Sequence, residues 1–129
     1  MYKPTTISFY SHGSKLGNSI ITRLRVDRSY LNSHAFGIGL ALSPECASGA
    51  NQETIFHVLK FCPLYNSHRQ TLFSRVGQQI SIFNQLNNKE QMYVLMYGYK
   101  KENPDYYYIN TAVTFEVQDF LIKTKRFKL

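Results

Sequence analysis

Apolar residues recur along most of the chain at the three- and four-residue spacing of a helix that buries one face. Five stripes follow this spacing: Leu16, Ile20, Ile21 and Leu24; Ile55, Val58, Leu59 and Cys62; Leu72, Val76, Ile80 and Phe83; Met92, Leu95, Met96 and Tyr99; and Ile109, Ala112, Val113, Val117, Phe120 and Leu121. The pattern predicts an all-α fold, a single compact domain of about five helices over residues 14–129. Residues 1–13 are predicted to form an extended lead-in.

Turn-forming residues separate these stripes. Pro63 disfavours helical backbone at the residue before it, so the second helix should end near Phe61. The segment 43–51, SPECASGAN, is rich in loop-forming residues and predicts a loop. Ser14 is the predicted N-cap of the first helix and Asp105 that of the last. We therefore expect Cys46 to lie in a loop that leads directly into the second predicted helix.

Composition narrows the class of protein. The 129 residues are 43% hydrophobic, as in a globular protein, and 15 Lys and Arg face eight Asp and Glu, giving a net charge of +7. Such a charge favours a polyanionic partner, either nucleic acid or an acidic membrane surface. Two cysteines are too few for a disulfide framework, and the chain shows no apolar run typical of a signal peptide or a membrane span. We expect an intracellular protein, nuclear or cytoplasmic, that is not secreted and does not bind membranes.

The cations form two clusters, each near the end of a predicted helix. Phosphate binding needs cations held together, and a neighbouring aromatic ring such as Phe127 could stack on an exposed base. The alternative is a solvated surface with charges that stabilise helix C-termini. The candidate nucleic-acid-binding residues are Arg23, Arg25 and Arg28 in one cluster and Lys123, Lys125, Arg126 and Lys128 in the other.

Three adjacent tyrosines, Tyr106, Tyr107 and Tyr108, follow the last predicted turn. They could form a stacking platform for bases. The interpretation favoured by the position at a helix start is that one packs inward and two are half exposed.

A possible metal site is formed by Cys46, His57 and Cys62, since zinc prefers thiolate and imidazole ligands. His57 and Cys62 are five residues apart, about 140° around an ideal helix, which would point them away from each other. The helix stop at Pro63 would let Cys62 turn back toward His57. Alternatively, Cys62 is a small core residue and Cys46 a loop thiol.

The predicted metal site lacks a fourth ligand, although structural zinc sites are almost always four-coordinate. Ser48 stands where a Cys-x-Cys pair would place a second thiolate. The spacing does not decide whether His12, His34 or His68 completes the site.

No catalytic motif is recognisable. The chain has no phosphate-binding loop, no HExxH helix and no spaced pair of carboxylates on one predicted face. We therefore expect a protein without enzymatic activity.

Several motifs follow one another in an order typical of one known family. In this chain they are Arg23-Leu24-Arg25, Leu31-Asn32-Ser33-His34-Ala35-Phe36, Pro44-Glu45-Cys46, Glu53-Thr54, His57, Cys62, Tyr65 and Arg69. With these motifs the segment 22–73 resembles the region after the polymerase core of LINE-type (non-LTR) retrotransposon reverse transcriptases. Leu95-Met96-Tyr97-Gly98 and Arg126-Phe127 extend the resemblance loosely over residues 16–127.

The resemblance implies a zinc-binding, nucleic-acid-handling appendage of a polymerase. Cys46, His57 and Cys62 match three of the family's four Cys/His positions, and Ser48 takes the fourth. The adjacent aspartates that hold the metal ions of the polymerase are absent, as is any endonuclease domain. The hypothesis is thus a non-catalytic domain that binds RNA or DNA, a fragment of a decayed element. The alternative is a structural or protein-interaction helical fragment that binds neither nucleic acid nor metal.

Overall fold

The structure is a computed structural model that describes residues 15–25, 31–49 and 52–127. These residues form six α-helices and no strand, which confirms the predicted all-α class. The predicted lead-in over residues 1–13 and the predicted cap Ser14 lie outside the described residues. The helices are α1 (Lys15–Arg25), α2 (Asn32–Gly37), α3 (Ile55–Lys60), α4 (Asn66–Gln79), α5 (Asn88–Tyr97) and α6 (Tyr107–Lys123), with 3₁₀ turns at Pro63–Tyr65, Phe83–Gln85 and Pro104–Tyr106.

The helix ends have local causes. Helix α3 ends at Lys60, and the backbone of Cys62 is extended, with φ −62° and ψ 121°, as the following Pro63 requires. Helix α5 begins with a capping box, in which the side chains and backbone N–H groups of Asn87 and Glu90 bond reciprocally.

The predicted cap at Asp105 is wrong. The side chain of Asn103 accepts a hydrogen bond from the backbone N–H of Asp105 at 2.9 Å and begins a 3₁₀ turn that continues into α6. Pro104 stands at the first position of this turn, where its fixed φ and missing N–H are tolerated, so the cap lies one residue before it.

The core lies around α6, which packs chiefly against α4 and α1 and also against α5. The predicted apolar stripes supply most of it. The fully buried side chains include Ile20, Ile21, Val58, Leu59, Leu72, Val76, Phe83, Val113, Val117, Phe120 and Leu121. Burying each large one contributes about 1.5–3 kcal/mol, so this shared core holds the helices together.

Gly17 permits the close approach of α1 to α6. A Cβ atom built there would lie 2.7 Å from Oε1 and 2.9 Å from Cβ of Gln118. Beside this contact the Gln118 side chain donates a hydrogen bond to Oδ1 of Asn18 at 2.8 Å. A glycine that weakens an isolated helix is thus required here by helix packing.

The connection between α5 and α6 is fixed by Asn110. Its Oδ1 accepts a hydrogen bond from the backbone N–H of Tyr99 at 2.8 Å, and its Nδ2 donates to the Tyr99 carbonyl at 2.9 Å. Gly98, with a φ of 103°, makes the turn that brings Tyr99 onto Asn110. The C-terminal end of α5 is therefore held beside the first turn of α6.

Among the helices of the described residues, none combines the length and the apolar character needed to cross a bilayer.

Candidate metal centre

Cys46, His57 and Cys62 converge in the interior. Cys46 belongs to the loop over residues 43–49, His57 lies on α3, and Cys62 follows the end of that helix. One potential ligand atom from each lies within 4.8 Å of the others, and the two Sγ atoms are 3.5 Å apart. All three side chains are buried and the cysteines form no disulfide. The three residues could hold a metal ion.

The termination of α3 explains how His57 and Cys62 meet. The backbone N–H groups of both Phe61 and Cys62 donate to the carbonyl of His57, each at 2.8 Å. The Cys62 bond spans five residues, a π-type turn, and it replaces the straight continuation that would separate the two side chains by about 140°. The expectation that Pro63 lets Cys62 turn back toward His57 is confirmed.

The spacing of the two sulfurs suits a shared ion. Two thiolates at about 2.3 Å from a tetrahedral zinc would lie about 3.8 Å apart. The observed Sγ–Sγ distance of 3.5 Å is close to that value. It is much longer than the roughly 2.05 Å of a disulfide bond. The same distance also allows a hydrogen bond between the two thiols, so the pair could bind one ion together or pair with each other.

Two buried polar atoms at this site have no hydrogen-bond partner in the described part of the chain. They are Nε2 of His57 and Oγ of Ser48. The Ser48 hydroxyl nevertheless lies against the Cys62 thiol, where its interaction lowers the pKa of that thiol. Buried polar atoms are rarely left unsatisfied, and an ion bound between these residues would supply the missing interaction. Ser48, which stands at the sequence position of the missing ligand, thus lies next to Cys62.

Electrostatics at the site favour neutral groups before a metal binds. Burial lowers the pKa of His57, and the positive charge of Arg69 lowers it further, against an opposing effect of Glu53. Burial raises the pKa of Cys62, partly opposed by the backbone N–H of Leu64. The imidazole is then in its metal-binding form, whereas metal binding must displace the thiol proton.

Arg69 caps the C-terminal end of α3. Its guanidinium donates to the carbonyls of Leu59 at 2.9 Å and Val58 at 2.7 Å, and to Oδ1 of Asn66 at 2.8 Å. The last carbonyls of a helix lack partners within it, so a buried cation here satisfies them and opposes the negative helix end. Arg69 thereby positions the segment between His57 and Cys62.

A second network holds the loop that carries Cys46. Glu53 receives two hydrogen bonds from Arg126 and one from the backbone N–H of Asn32 at 2.7 Å. The Asn32 side chain donates to the Glu45 carbonyl at 2.7 Å, and the Glu53 N–H donates to the Pro44 carbonyl at 2.8 Å. Glu53 and Asn32 belong to the motifs of the resemblance, but the spacing of residues so far apart gave no indication that they contact each other.

None of the three candidate histidines is shown to complete the site. In the described residues the cluster contains Cys46, His57 and Cys62 alone, so His34 and His68 do not join it. His12 lies outside the described residues.

The first predicted cationic cluster lies at the end of α1. Arg25 donates to the carbonyl of Met96, and its guanidinium lies 5.7 Å from the ring centroid of Tyr97. The Nε and Nη2 atoms of Arg23 are buried and find no hydrogen-bond partner within the described ranges. Arg28 lies outside these ranges.

The second cluster lies at the end of α6 and is partly committed to ion pairs. Arg126 pairs with the buried carboxylate of Glu53, and Lys123 pairs with Asp119 at 2.8 Å on the helix surface. Lys125 is exposed, and Lys128 lies outside the described residues.

The prediction that the Phe127 ring could stack on an exposed base is wrong, because that ring belongs to the core and is only 8% exposed. Of the three adjacent tyrosines, Tyr107 is buried and Tyr106 half-buried, as predicted, whereas Tyr108 is far more exposed than predicted.

The described residues of the two clusters do not form one surface. Arg25 contacts the end of α5, which Asn110 holds beside the first turn of α6. Lys123 is the last of the 17 residues of α6. At 1.5 Å per residue this helix is about 25 Å long, so the clusters lie at its opposite ends.

In comparisons with known proteins, no family model, no curated protein and no solved structure matches the chain.

Proposed function

We propose that the chain is a zinc-stabilised, non-catalytic domain that binds RNA or DNA. The observation that carries the proposal is the convergence of Cys46, His57 and Cys62 on one buried point. Two thiolates and an imidazole are a donor set suited to zinc, whereas calcium and magnesium prefer oxygen. A site closed to solvent is typical of zinc that stabilises a fold. Bound zinc would tie the 43–49 loop to α3.

The fourth ligand in this proposal is an oxygen at the position of Ser48. The Ser48 hydroxyl is buried and lies beside the Cys62 thiol, whose pKa it lowers. A neutral hydroxyl binds zinc more weakly than a thiolate does, so the proposed site has lower affinity than one with three cysteines. A reducing nuclear or cytoplasmic compartment would keep both thiols available.

Nucleic-acid binding is supported by the net charge of +7 and by cations at both ends of α6. Neutralising phosphates with Lys and Arg releases counterions, which drives binding without any sequence readout. The motifs shared with LINE-type reverse transcriptases support the same role. We propose that the chain corresponds to the post-polymerase region of such an enzyme, as a fragment of a decayed element.

The zinc proposal is tested by metal analysis of the purified full chain. We expect about one zinc per chain, and Co²⁺ in place of zinc should give the absorption of a tetrahedral thiolate site. Cys46→Ser and His57→Gln should each abolish both signals, whereas His68→Gln, outside the cluster, should change neither. Zinc near zero in the wild-type chain would overturn the assignment.

The nucleic-acid proposal is tested by fluorescence anisotropy with labelled single-stranded RNA and DNA. Binding should be measurable at about 50 mM salt and should weaken steeply toward about 200 mM, because released counterions drive it. Absence of binding at the lower salt concentration would contradict the proposal.

A second candidate function is protein interaction, and one specific feature favours it. Phe36, Ile38, Leu40 and Leu42 are all exposed, within seven residues that lead into the Cys46 loop. Contiguous exposed apolar side chains often mark interaction surfaces. If this is the main role, Ile38→Ser with Leu40→Ser should reduce self-association or partner binding, and nucleic-acid binding should be absent.

A further inference from the structure

The outer face of α5 presents one cation and two aromatic rings in a row, and a second cation follows in the loop after the helix. Lys89, Tyr93 and Tyr97 are spaced by four residues, and Lys101 follows four residues after the last. Residues four apart on a helix lie on the same side. Tyr93 is 51% exposed and Tyr97 37% exposed, although many other aromatic rings are packed inside. Large apolar ring surface therefore remains in contact with water between two cations.

The two rings are held as a pair. Their centroids are 5.2 Å apart and their planes are inclined by 39°. The guanidinium of Arg25 and the Nζ atom of Lys101 each lie 5.7 Å from the Tyr97 centroid. Cations at this distance attract the ring face and restrict its motion. Because Arg25 belongs to α1 and Lys101 to the loop after α5, three segments define the position of this ring.

A shallow groove lies beside the rings. Its volume is about 250 Å³, and Lys89, Tyr93 and Tyr97 line it together with apolar side chains such as Leu24 and Met92. Sites for drug-sized ligands usually enclose roughly 300–1,000 Å³, so this groove is small. Its small size and mostly apolar lining suit a single planar ring, and the cations beside it suit an anion attached to that ring.

We propose that this surface, the tyrosine face (Lys89, Tyr93, Tyr97, Lys101 and Arg25), binds single-stranded nucleic acid. Bases stack on Tyr93 and Tyr97, and the three cations contact the phosphates. The proposal rests on the proposed nucleic-acid-binding function and assigns a location and a strand type to it. Bases in a duplex are stacked on each other and are closed to the rings, whereas bases of a single strand are accessible.

The charge pattern selects nucleic acid over a protein partner as occupant. Three cations surround two rings. Of the acids adjacent to them in sequence, Glu90 is engaged in the capping box of α5 and the exposed Glu102 follows Lys101, so cations outnumber acids on this surface. Proteins that bind single strands without sequence preference combine cations along the backbone path with rings on which bases stack. Both features occur here within one helix face and its neighbours.

The test uses the full chain loaded with zinc and fluorescein-labelled oligouridylate, oligothymidylate and duplex DNA of about twelve nucleotides. Tyr93→Ala with Tyr97→Ala should weaken single-strand binding at least about tenfold, with an unchanged salt slope. The matched control is Tyr108→Ala, because Tyr108 is a tyrosine 82% exposed on α6 and outside the groove. This control should bind like the wild type. Comparison of the two single strands distinguishes RNA from DNA.

Two further variants keep the result interpretable. Tyr93→Phe with Tyr97→Phe retains the rings and should retain the affinity. Lys89→Gln with Lys101→Gln changes exposed side chains and should reduce the salt slope by about 1.4, roughly 0.7 for each lost phosphate contact on a single strand. Zinc content and circular dichroism of each variant report whether it is folded.

The possible outcomes separate the two proposals. If the wild type binds and the double Ala variant binds equally well, the tyrosine face is overturned while the proposed function stands. If duplex DNA binds as tightly as the single strands, or the Lys variants leave the salt slope unchanged, the tyrosine face is likewise overturned. If the wild type binds no nucleic acid at low salt, the proposed function itself fails.

Discussion

Arg126 and Glu53 form a bidentate ion pair across 73 residues of sequence. Nε of Arg126 donates to Oε2 of Glu53 at 2.7 Å and Nη2 donates to Oε1. Glu53 is only 2% exposed, so its carboxylate is bound by this partner and by the N–H of Asn32 in place of water. The charge of Arg126 makes it a candidate for nucleic-acid binding in the sequence. In the structure its guanidinium supports the loop that carries Cys46.

Breaking this pair should cost much more than breaking an exposed one. Arg126→Met leaves the buried carboxylate of Glu53 without its charge partner, and we expect a loss of about 3–5 kcal/mol in the free energy of unfolding. Lys123→Gln, which removes the exposed pair with Asp119, should cost no more than about 1 kcal/mol. Urea denaturation measures both. Equal effects of the two substitutions would contradict the structural role of Arg126.

Ser48→Cys should convert the proposed zinc site into one with three thiolates. A thiolate binds zinc more strongly than a hydroxyl, so we expect zinc affinity to rise by at least about tenfold, measured by competition with a chelator. Ser48→Ala, which removes the oxygen without adding a ligand, should lower the affinity or leave it unchanged. An affinity unaffected by the Cys substitution would place Ser48 outside the coordination sphere.

Gly17→Ala should destabilise the domain although alanine is the better helix former. The gain in helix propensity is about 1 kcal/mol, but the added Cβ would meet Gln118 at less than 3.0 Å and force α1 away from α6. We expect a net loss of about 1–3 kcal/mol in the free energy of unfolding. Gly37→Ala, with no atom within 4 Å of the added Cβ, serves as the control and should be neutral. A stabilised Gly17→Ala variant would contradict the close packing of these helices.

Asn110→Ala should loosen the connection between α5 and α6. The backbone N–H and carbonyl of Tyr99 both lose their partner, at a cost of about 1–3 kcal/mol. Asn110→Asp keeps the acceptor for the Tyr99 N–H but loses the donor to the Tyr99 carbonyl. Its effect on stability should reflect the loss of that one hydrogen bond and the burial of a negative charge. Hydrogen exchange at the Tyr99 amide should accelerate in the Ala variant. Unchanged exchange there would show that other contacts hold the connection.

The metal-free chain should lose stability in mild acid because of His57. Its pKa is lowered in the folded state by burial and by Arg69, against the opposing effect of Glu53, from an ordinary value of 6.5. The unfolded chain therefore binds a proton before the folded chain does. The contribution to stability is present above about pH 6.5 and decreases as the pH falls through the lower, folded pKa.

Urea denaturation in the presence of a chelator, at several pH values between about 7.5 and 5, measures this dependence. His57→Gln should flatten the profile in that range, whereas His68→Gln should leave it close to that of the wild type. Identical profiles for the wild type and His57→Gln would contradict the assignment.

Local features of the structure could be predicted from the sequence because their causes are local. The apolar spacing of Leu72, Val76 and Ile80 marks the buried side of α4, and all three are buried. The steric effect of Pro63 ends α3 and thereby brings Cys62 to His57. The approach of Cys62 to His57 could therefore be predicted from the helix stop alone.

The supporting contacts could not be predicted, because they depend on which elements meet in space. The sequence position of Arg69 does not indicate that its guanidinium donates to the last carbonyls of α3. The Leu59 carbonyl that it contacts lies ten residues earlier. Charge alone did not reveal that Arg126 pairs with Glu53. Likewise, the row from Lys89 to Lys101 is visible in sequence only after α5 is known to expose that side.

The pairing of Arg126 with Glu53 has a consequence for how the domain is assembled during synthesis. The ribosome makes Cys46, Glu53 and Cys62 long before it reaches Arg126. A nascent chain that has emerged only as far as α5 thus carries both thiols, but its Glu53 carboxylate still lacks the guanidinium. The loop that carries Cys46 gains the support of this ion pair only after α6 has left the tunnel, so its final anchoring is acquired late in translation.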